Sequence, residues 1–326
     1  MYYENIKKKR CWSCKSFNTI KWGKQNNKQR YKCNNCGILF TNENKQVSLS
    51  NKFIWFEKWI IKRRTIEDLA SESGYSERTL KRLFNTYLSK PPTLSVYPSE
   101  KVNLLIDGTY FKNGICLVLY RDYHIKFTQL YRLTDGEYYS EIKEDLLNLL
   151  KLGVQIESIT CDGHKSIIKA VKEVLPDIPM QRCLVHIQRD CRIWLTKNPQ
   201  SIAAYQLRKI VSKLHLIKTH KELSFWLLDL HHWFVKYEEY INQKSYNPET
   251  NRYWFTHKMV RRSFMTIKRA LPDMFYYLDN PNIPKSSNSI ESFFGHMKGH
   301  LNIHRGLSYK HRKQFIMWYL YFKNKK

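Results

Sequence analysis

Leu104-Leu-Ile-Asp-Gly-Thr-Tyr-Phe111 is a strand-like apolar run with a carboxylate in its middle. A charged side chain in such a strand is costly unless it has a partner, so Asp107 asks for one. The surrounding sequence says what kind of sheet this strand joins. Val102–Phe111, Gly114–Arg121 and Lys126–Leu133 are three β-like runs with short connections. Tyr138–Leu152 has helical spacing, with Ile142, Leu146, Leu147, Leu149 and Leu150 apolar. Ile156–Cys161 then reads as a strand, Lys165–Val174 as a helix and Met180–Val185 as a short strand. The order β-β-β-α-β-α-β predicts a mixed α/β sheet.

Two further acids stand at comparable places. Asp162 ends the fourth strand, in Ile159-Thr-Cys-Asp-Gly163. Glu291 lies in Asn288-Ser-Ile-Glu-Ser-Phe-Phe-Gly-His-Met-Lys298, part of a helix expected over Ser289–Leu301. Taken singly, each acid also reads as a turn cap or a surface charge. If the first and fourth strands are neighbours, Asp107 and Asp162 converge, and a helix crossing that edge supplies Glu291. Three carboxylates together repel unless divalent cations lie between them. Oxygen ligands with open positions suit Mg²⁺ or Mn²⁺, and two such ions clamp the attacking and leaving oxygens of an in-line phosphoryl transfer. Glu249 and Asp279 also lie downstream, but neither precedes a basic residue on one helix face.

The first 45 residues carry Cys11-x-x-Cys14 and Cys33-x-x-Cys36, with 18 residues between the pairs. Four thiolates at this spacing suit one tetrahedral structural zinc, and a unit this small needs such a staple. Asn18–Lys24 and Gln29–Lys32 alternate like a hairpin. Further on, Phe53, Ile54, Phe56, Trp59 and Ile60 form an apolar helical stripe. Thr65 and Ser76 are candidate N-caps of two helices separated by Gly74-Tyr75-Ser76. In that pair Ile66, Leu69, Ala70, Leu80 and Leu83 are expected inside, and Arg78, Thr79, Lys81 and Arg82 outside. This is a helix-turn-helix pattern, whose second helix enters the DNA major groove. Lys90 to Pro98 reads as a linker.

The chain of 326 residues has 56 Lys and Arg against 28 Asp and Glu, a formal net charge of +28. The excess is uneven: residues 101–190 hold 12 basic and 12 acidic side chains, while residues 1–50 hold 11 and 2. A basic body around a balanced segment that keeps its acids points to nucleic acid as partner. Hydrophobic residues make up 42% of the chain, which excludes wholesale disorder. No uninterrupted apolar run suits a membrane span, and Met1–Arg10 lacks the apolar stretch of a secretory signal. Paired C-x-x-C motifs without an export signal fit a reducing compartment and a metal site.

Together, the cysteine quartet, the helix-turn-helix, Asp107-Gly108, Asp162-Gly163, Cys183-x-x-His186, Asn288-x-x-Glu291 and Lys298 resemble a bacterial insertion-sequence transposase of the DDE class, in the Mutator-like superfamily. The resemblance implies an RNase H-like core with a helical insertion before the last catalytic helix. It divides the chain into a zinc ribbon (1–45), a helix-turn-helix and linker (46–95), the first part of the core (96–190), an all-α insertion (191–287), and a final helix with a basic tail (288–326). It implies that Asp107, Asp162 and Glu291 hold two Mg²⁺ (or Mn²⁺), and that Lys298, two helical turns after Glu291, holds a phosphate, with Arg305 extending that contact. Cys183, His186 and Asn288 are expected to support the site, and His164 to start a helix. The partners implied are the element's terminal inverted repeats and target DNA, bound by a dimer or larger assembly in the bacterial cytoplasm. A DNA-binding regulator without catalysis is the alternative, and it leaves the acids unexplained.

Overall fold

The computed structural model describes residues 9–41, 45–97 and 101–325, without side chains for 45–51. The expectations for Met1–Lys8 and for Pro98 lie outside the described residues. The chain divides into two compact units, 1–90 and 91–326.

The first unit begins with a three-stranded antiparallel sheet of β1 (Thr19–Gln25), β2 (Lys28–Cys33) and β3 (Leu39–Thr41). Asn26 and Asn27 both have positive φ between Gln25 and Lys28, as a tight two-residue hairpin turn requires. The C-x-x-C motifs form matched knuckles: the Lys15 amide donates to Cys11 O at 3.0 Å and the Gly37 amide to Cys33 O at 2.8 Å. Helix α1 (Lys45–Ile61) follows, then α2 (Ile66–Ser73) and α3 (Glu77–Leu88). Thr65 and Asp68 form a reciprocal capping box at the start of α2, and Ser76 caps α3. Gly74 ends α2 in the left-handed conformation that a helix stop favours. Leu69, Leu80, Phe84 and Leu88 are buried with Phe56, Trp59 and Ile60, whereas Arg78, Lys81 and Arg82 are exposed. Thr79 is half-buried, and its backbone and hydroxyl both meet the Ser76 cap.

The second unit is built on a five-stranded mixed sheet: β4 (Val102–Phe111), β5 (Ile115–Asp122), β6 (Thr128–Thr134), β7 (Ile156–Cys161) and β8 (Met180–Arg182), in the spatial order β6-β5-β4-β7-β8. β4 lies antiparallel to β5 and parallel to β7, so the first and fourth strands are neighbours as expected. Strand alternation sorts the side chains. Leu104, Ile106, Ile159 and Cys161 pack with α4 (Tyr139–Lys151) and α5 (Lys165–Val174) in one core. Leu105, Asp107 and Thr160 therefore face the other side, where α11 (Asn288–Ile303) crosses β4.

Two expectations are corrected here. The last strand stops at Arg182, because Cys183 is the N-cap of α6 (Leu184–Leu195) and turns Leu184 and Val185 into helix. The terminal segment is no tail: α12 (Tyr309–Asn324) buries Phe315, Tyr319 and Phe322, spaced for one helical face.

Between α6 and α11 stand α7 (Ile202–Ser212), α8 (His220–Asn242), β9 (Lys244–Asn247), β10 (Arg252–Phe255), α9 (Lys258–Ala270) and the short α10 (Tyr276–Asp279). The insertion is thus not all-α, since β9 and β10 pair as a hairpin. Asn251 turns with positive φ, and the Tyr246 and Tyr253 rings meet across the pair, tilted by 35° with centroids 4.6 Å apart. Two tryptophans help form its core. Trp226 donates to Ile210 O and Trp233 to Ala203 O, each at 2.9 Å, so both indoles are buried without an orphaned N–H. Trp254 is exposed.

Candidate active site

The β4–β7 ladder pairs Leu105 with Thr160 and Ile106 with Cys161. Continued by one residue, it sets Asp107, in mid-β4, beside Asp162, just past the carboxyl end of β7. Asp107 is 4% exposed. Its Oδ1 accepts the Gly108 amide at 2.9 Å. Burial, together with the nearby Asp162 and Glu291 carboxylates, pushes its pKa up to about 7, against the opposing pull of His186. Asp107 therefore senses both of the other acids picked out along the sequence.

The tightest grouping is not the expected triad. Asp107, His186 and Glu291 each bring a ligand atom within 4.8 Å of the other two. Glu291 sits in the first turn of α11, and its Oε1 is 2.9 Å from His186 Nε2 and 2.7 Å from Arg189 Nη1. His186 and Arg189 are one turn apart on α6, so one helix face delivers both cations to that carboxylate. Burial works against the imidazolium, but Cys183, Asp107 and Glu291 outweigh it and lift His186 to about 9. Asp162 stands just outside this group, with its Oδ1 accepting the His164 amide at 2.8 Å.

The C-x-x-H pair has a structural explanation. The Ser287 amide donates to Cys183 Sγ at 3.3 Å, and Ser287 Oγ lies 3.4 Å from His186 Nδ1. The Leu184 amide donates to Lys285 O, and Thr160 Oγ1 to Pro284 O. These bonds fasten the returning loop to the sheet at the point where α6 leaves it. Cys183 and His186 thereby fix where α11 starts, and with it Glu291. Asn288 is the first residue of α11 and is exposed.

Other expected residues are scattered. Lys298 is half-buried with its ammonium 5.5 Å from the Phe111 ring centroid, near the far end of β4. Arg305 is exposed in the turn after α11. His164 caps α5 without a side-chain bond to the helix, and its Nδ1 is 3.4 Å from Glu137 Oε2. Glu137 and Arg189 escaped the sequence reading. The Glu137 carboxyl is packed so closely on Gly108 that a Cβ there would lie 2.2 Å from its Oε1. Burial and Asp162 raise its pKa. Arg189 had a usable signal, its i+3 spacing from His186. Glu137, in a polar turn before α4, had none.

In the first unit, Cys11 Sγ is 3.6 Å from Cys36 Sγ, and Cys14 Sγ is 3.5 Å from Cys33 Sγ. All four sulfurs lie within 4.8 Å of one another, a donor set that could hold one zinc.

Residues 131–267 match the family described as Transposase, Mutator family. That stretch contains Asp162, Cys183 and His186, while Asp107 and Glu291 flank it. Among curated proteins, the transposase for insertion sequence element ISRM5 of Rhizobium meliloti (strain 1021) is 28% identical to this chain over 96 residues. The match covers 29% of this chain and 23% of that protein, so the chain spans about a quarter of the relative it matches. Both findings support the resemblance to a Mutator-like insertion-sequence transposase. No described helix is long and apolar enough to cross a membrane.

Proposed function

We propose that this chain is a DNA transposase that cleaves and joins DNA strands at the carboxylate site of an RNase H-like core. The observation that carries the reading is the convergence of Asp107, Glu291 and His186 beside Asp162, from three segments far apart in sequence, in a chain that resembles transposases. Asp107, Asp162 and Glu291 are the residues that would hold divalent cations, Mg²⁺ or Mn²⁺. Their donor chemistry fits, being carboxylate oxygens: Asp107 and Glu291 bring an oxygen each within 4.8 Å of one another, and the strand register sets Asp162 beside Asp107. Such ions, when bound, supply Lewis acidity to a phosphodiester and lower the pKa of water or a 3′-hydroxyl.

The chain's own residues do the rest. Asp107 is held rigidly in the sheet. Glu291 is aimed by His186 and Arg189, which also compensate its charge. Cys183 and Ser287 fix the helix that carries it. Lys298 and Arg305 extend a basic track along and beyond α11 for the DNA backbone. In the other unit, the cysteine quartet holds one structural zinc, and α3 presents Arg78, Thr79, Lys81 and Arg82 to DNA. Two element ends must be handled together, so the working form is a dimer or larger assembly on DNA.

The direct test supplies purified chain, Mg²⁺, a duplex of its own flanking DNA with a free 3′-hydroxyl, and a target plasmid. Covalently joined products are expected. Hydrolysis without joining would mark a nuclease, and neither product in Mg²⁺ or Mn²⁺ would reject the proposal. A second experiment addresses α3. Replacing Arg78, Lys81 and Arg82 by Ala is expected to weaken binding to the flanking duplex and to flatten its salt dependence, by roughly 0.9 in log–log slope for each phosphate no longer neutralised. An unchanged slope would remove α3 from the interface.

A further inference from the structure

Arg182, the last residue of β8, is 9% exposed, and its Nε is buried without a hydrogen-bond partner. No carboxylate among the described residues forms an ion pair with its guanidinium. The contrast with Arg132 is direct: Arg132 lies against Asp145 and Glu144 at 2.6 and 2.7 Å. The Gln181 amide, next to Arg182 on β8, is bonded to Arg182 O and Met274 O. A buried cation without a counter-charge is disfavoured unless an anion completes it.

The surroundings say where that anion would sit. Arg182 pairs with Cys161 across the β7–β8 ladder, so its side chain leaves the sheet on the α5 face, opposite Asp107, and meets the loop after Asp162 at Gly163. Its Nη2 is packed against Gly163, where a Cβ would approach to 2.3 Å. Gly163 has no positive φ, so the glycine is needed for space rather than for conformation. Immediately after it, α5 starts at His164, whose side chain makes no cap bond and whose amide donates to Asp162 Oδ1, and the first turn contains no acid. The N–H groups of that first turn favour an anion. Glu137, whose carboxyl also reaches this end of the sheet, faces His164 instead. Lys165 is exposed at the first helical position.

We infer that Arg182, Gly163 and the start of α5 form a phosphate-binding site, and that it takes a backbone phosphate of the DNA strand lying beside Asp162. The inference rests on the transposase reading for the identity of the phosphate, but not for the existence of an anion site. Arg182 acts as a positioning residue, holding a phosphate at the end of β7 next to Asp162.

The test uses the full chain with Arg182→Met and Gly163→Ala, the latter displacing the guanidinium sterically. Inorganic phosphate is expected to raise the melting temperature of the parent chain more than that of either variant at equal ionic strength. Without phosphate, Arg182→Met is expected to melt at or above the parent temperature, because it removes an uncompensated buried charge. A melting temperature several degrees lower would make Arg182 structural and overturn the site. Equal phosphate responses in parent and variants would overturn it as well. With a duplex oligonucleotide in Ca²⁺, Arg182→Met is expected to bind about tenfold more weakly, with the salt slope reduced by about 1. An unchanged slope beside an abolished phosphate response would overturn the DNA assignment and leave free phosphate as the ligand. Asp107→Asn, assayed alongside, separates the two ideas: full cleavage by that variant defeats the transposase reading, whatever Arg182 does.

Discussion

Asp107→Asn, Asp162→Asn and Glu291→Gln are each expected to lower DNA strand cleavage by at least about a thousandfold, the scale of losing a group that stabilises transition-state charge, while binding the flanking duplex as the parent chain does. The substitutions keep size and remove one negative charge. Asp107 is buried and its pKa is pushed up to about 7 by burial, Asp162 and Glu291, so its amide counterpart is no worse tolerated by the fold. Glu291→Gln leaves Arg189 and His186 facing a neutral amide, which can still accept from both. Melting temperatures within a few degrees of the parent, measured beside the cleavage assay, separate lost chemistry from lost structure. Parent-level cleavage by any one variant would remove that residue from the site. Asp162 is the most informative of the three, because the tightest grouping joins Asp107 and Glu291 to His186 and leaves Asp162 at its edge.

Cys33→Ser is expected to abolish the zinc binding proposed for the cysteine quartet and to unfold the three-stranded sheet. A structural zinc contributes on the order of 10 kcal/mol to small folds of this kind. This segment has little else to hold it: among the described residues 9–41, the buried hydrophobic ones are Cys11, Tyr31 and Cys33, while Trp12, Phe17, Ile20, Trp22 and Leu39 are exposed. Elemental analysis is expected to give one zinc per parent chain and none for the variant. Protease sensitivity is expected to appear within residues 9–41 and not in residues 91–326, which carry their own cores. Zinc-free parent protein that resists protease equally would defeat the assignment.

Several features were legible in the residues alone. Thr65 and Ser76 announced two helix starts by residue type, and both cap as expected. Ile156–Cys161 and Lys165–Val174 read correctly to the residue, because apolar periodicity and flanking turns were unambiguous. The errors have physical sources. Met180–Val185 reads as one short strand, and only the Cys183 cap, tied to Ser287 from a distant segment, splits it into strand and helix. The β9–β10 hairpin hid inside an aromatic-rich helical region because its strands are only four residues each. The last segment read as a basic tail because its lysines drew attention from Phe315, Tyr319 and Phe322, whose spacing marks a buried face.

The amino-acid sequence by itself determined the strand carrying Asp107, the strand ending in Asp162, the cysteine knuckles and the helix carrying Glu291, since each depends on neighbours a few residues away. It also carried the family resemblance. Only the tertiary structure decided that His186 and Arg189 face Glu291, that Glu137 rests on Gly108, and that Arg182 lies buried beneath Gly163. Those relations join residues tens to a hundred positions apart. Their geometry comes from strand register and helix crossing, which local periodicity does not encode.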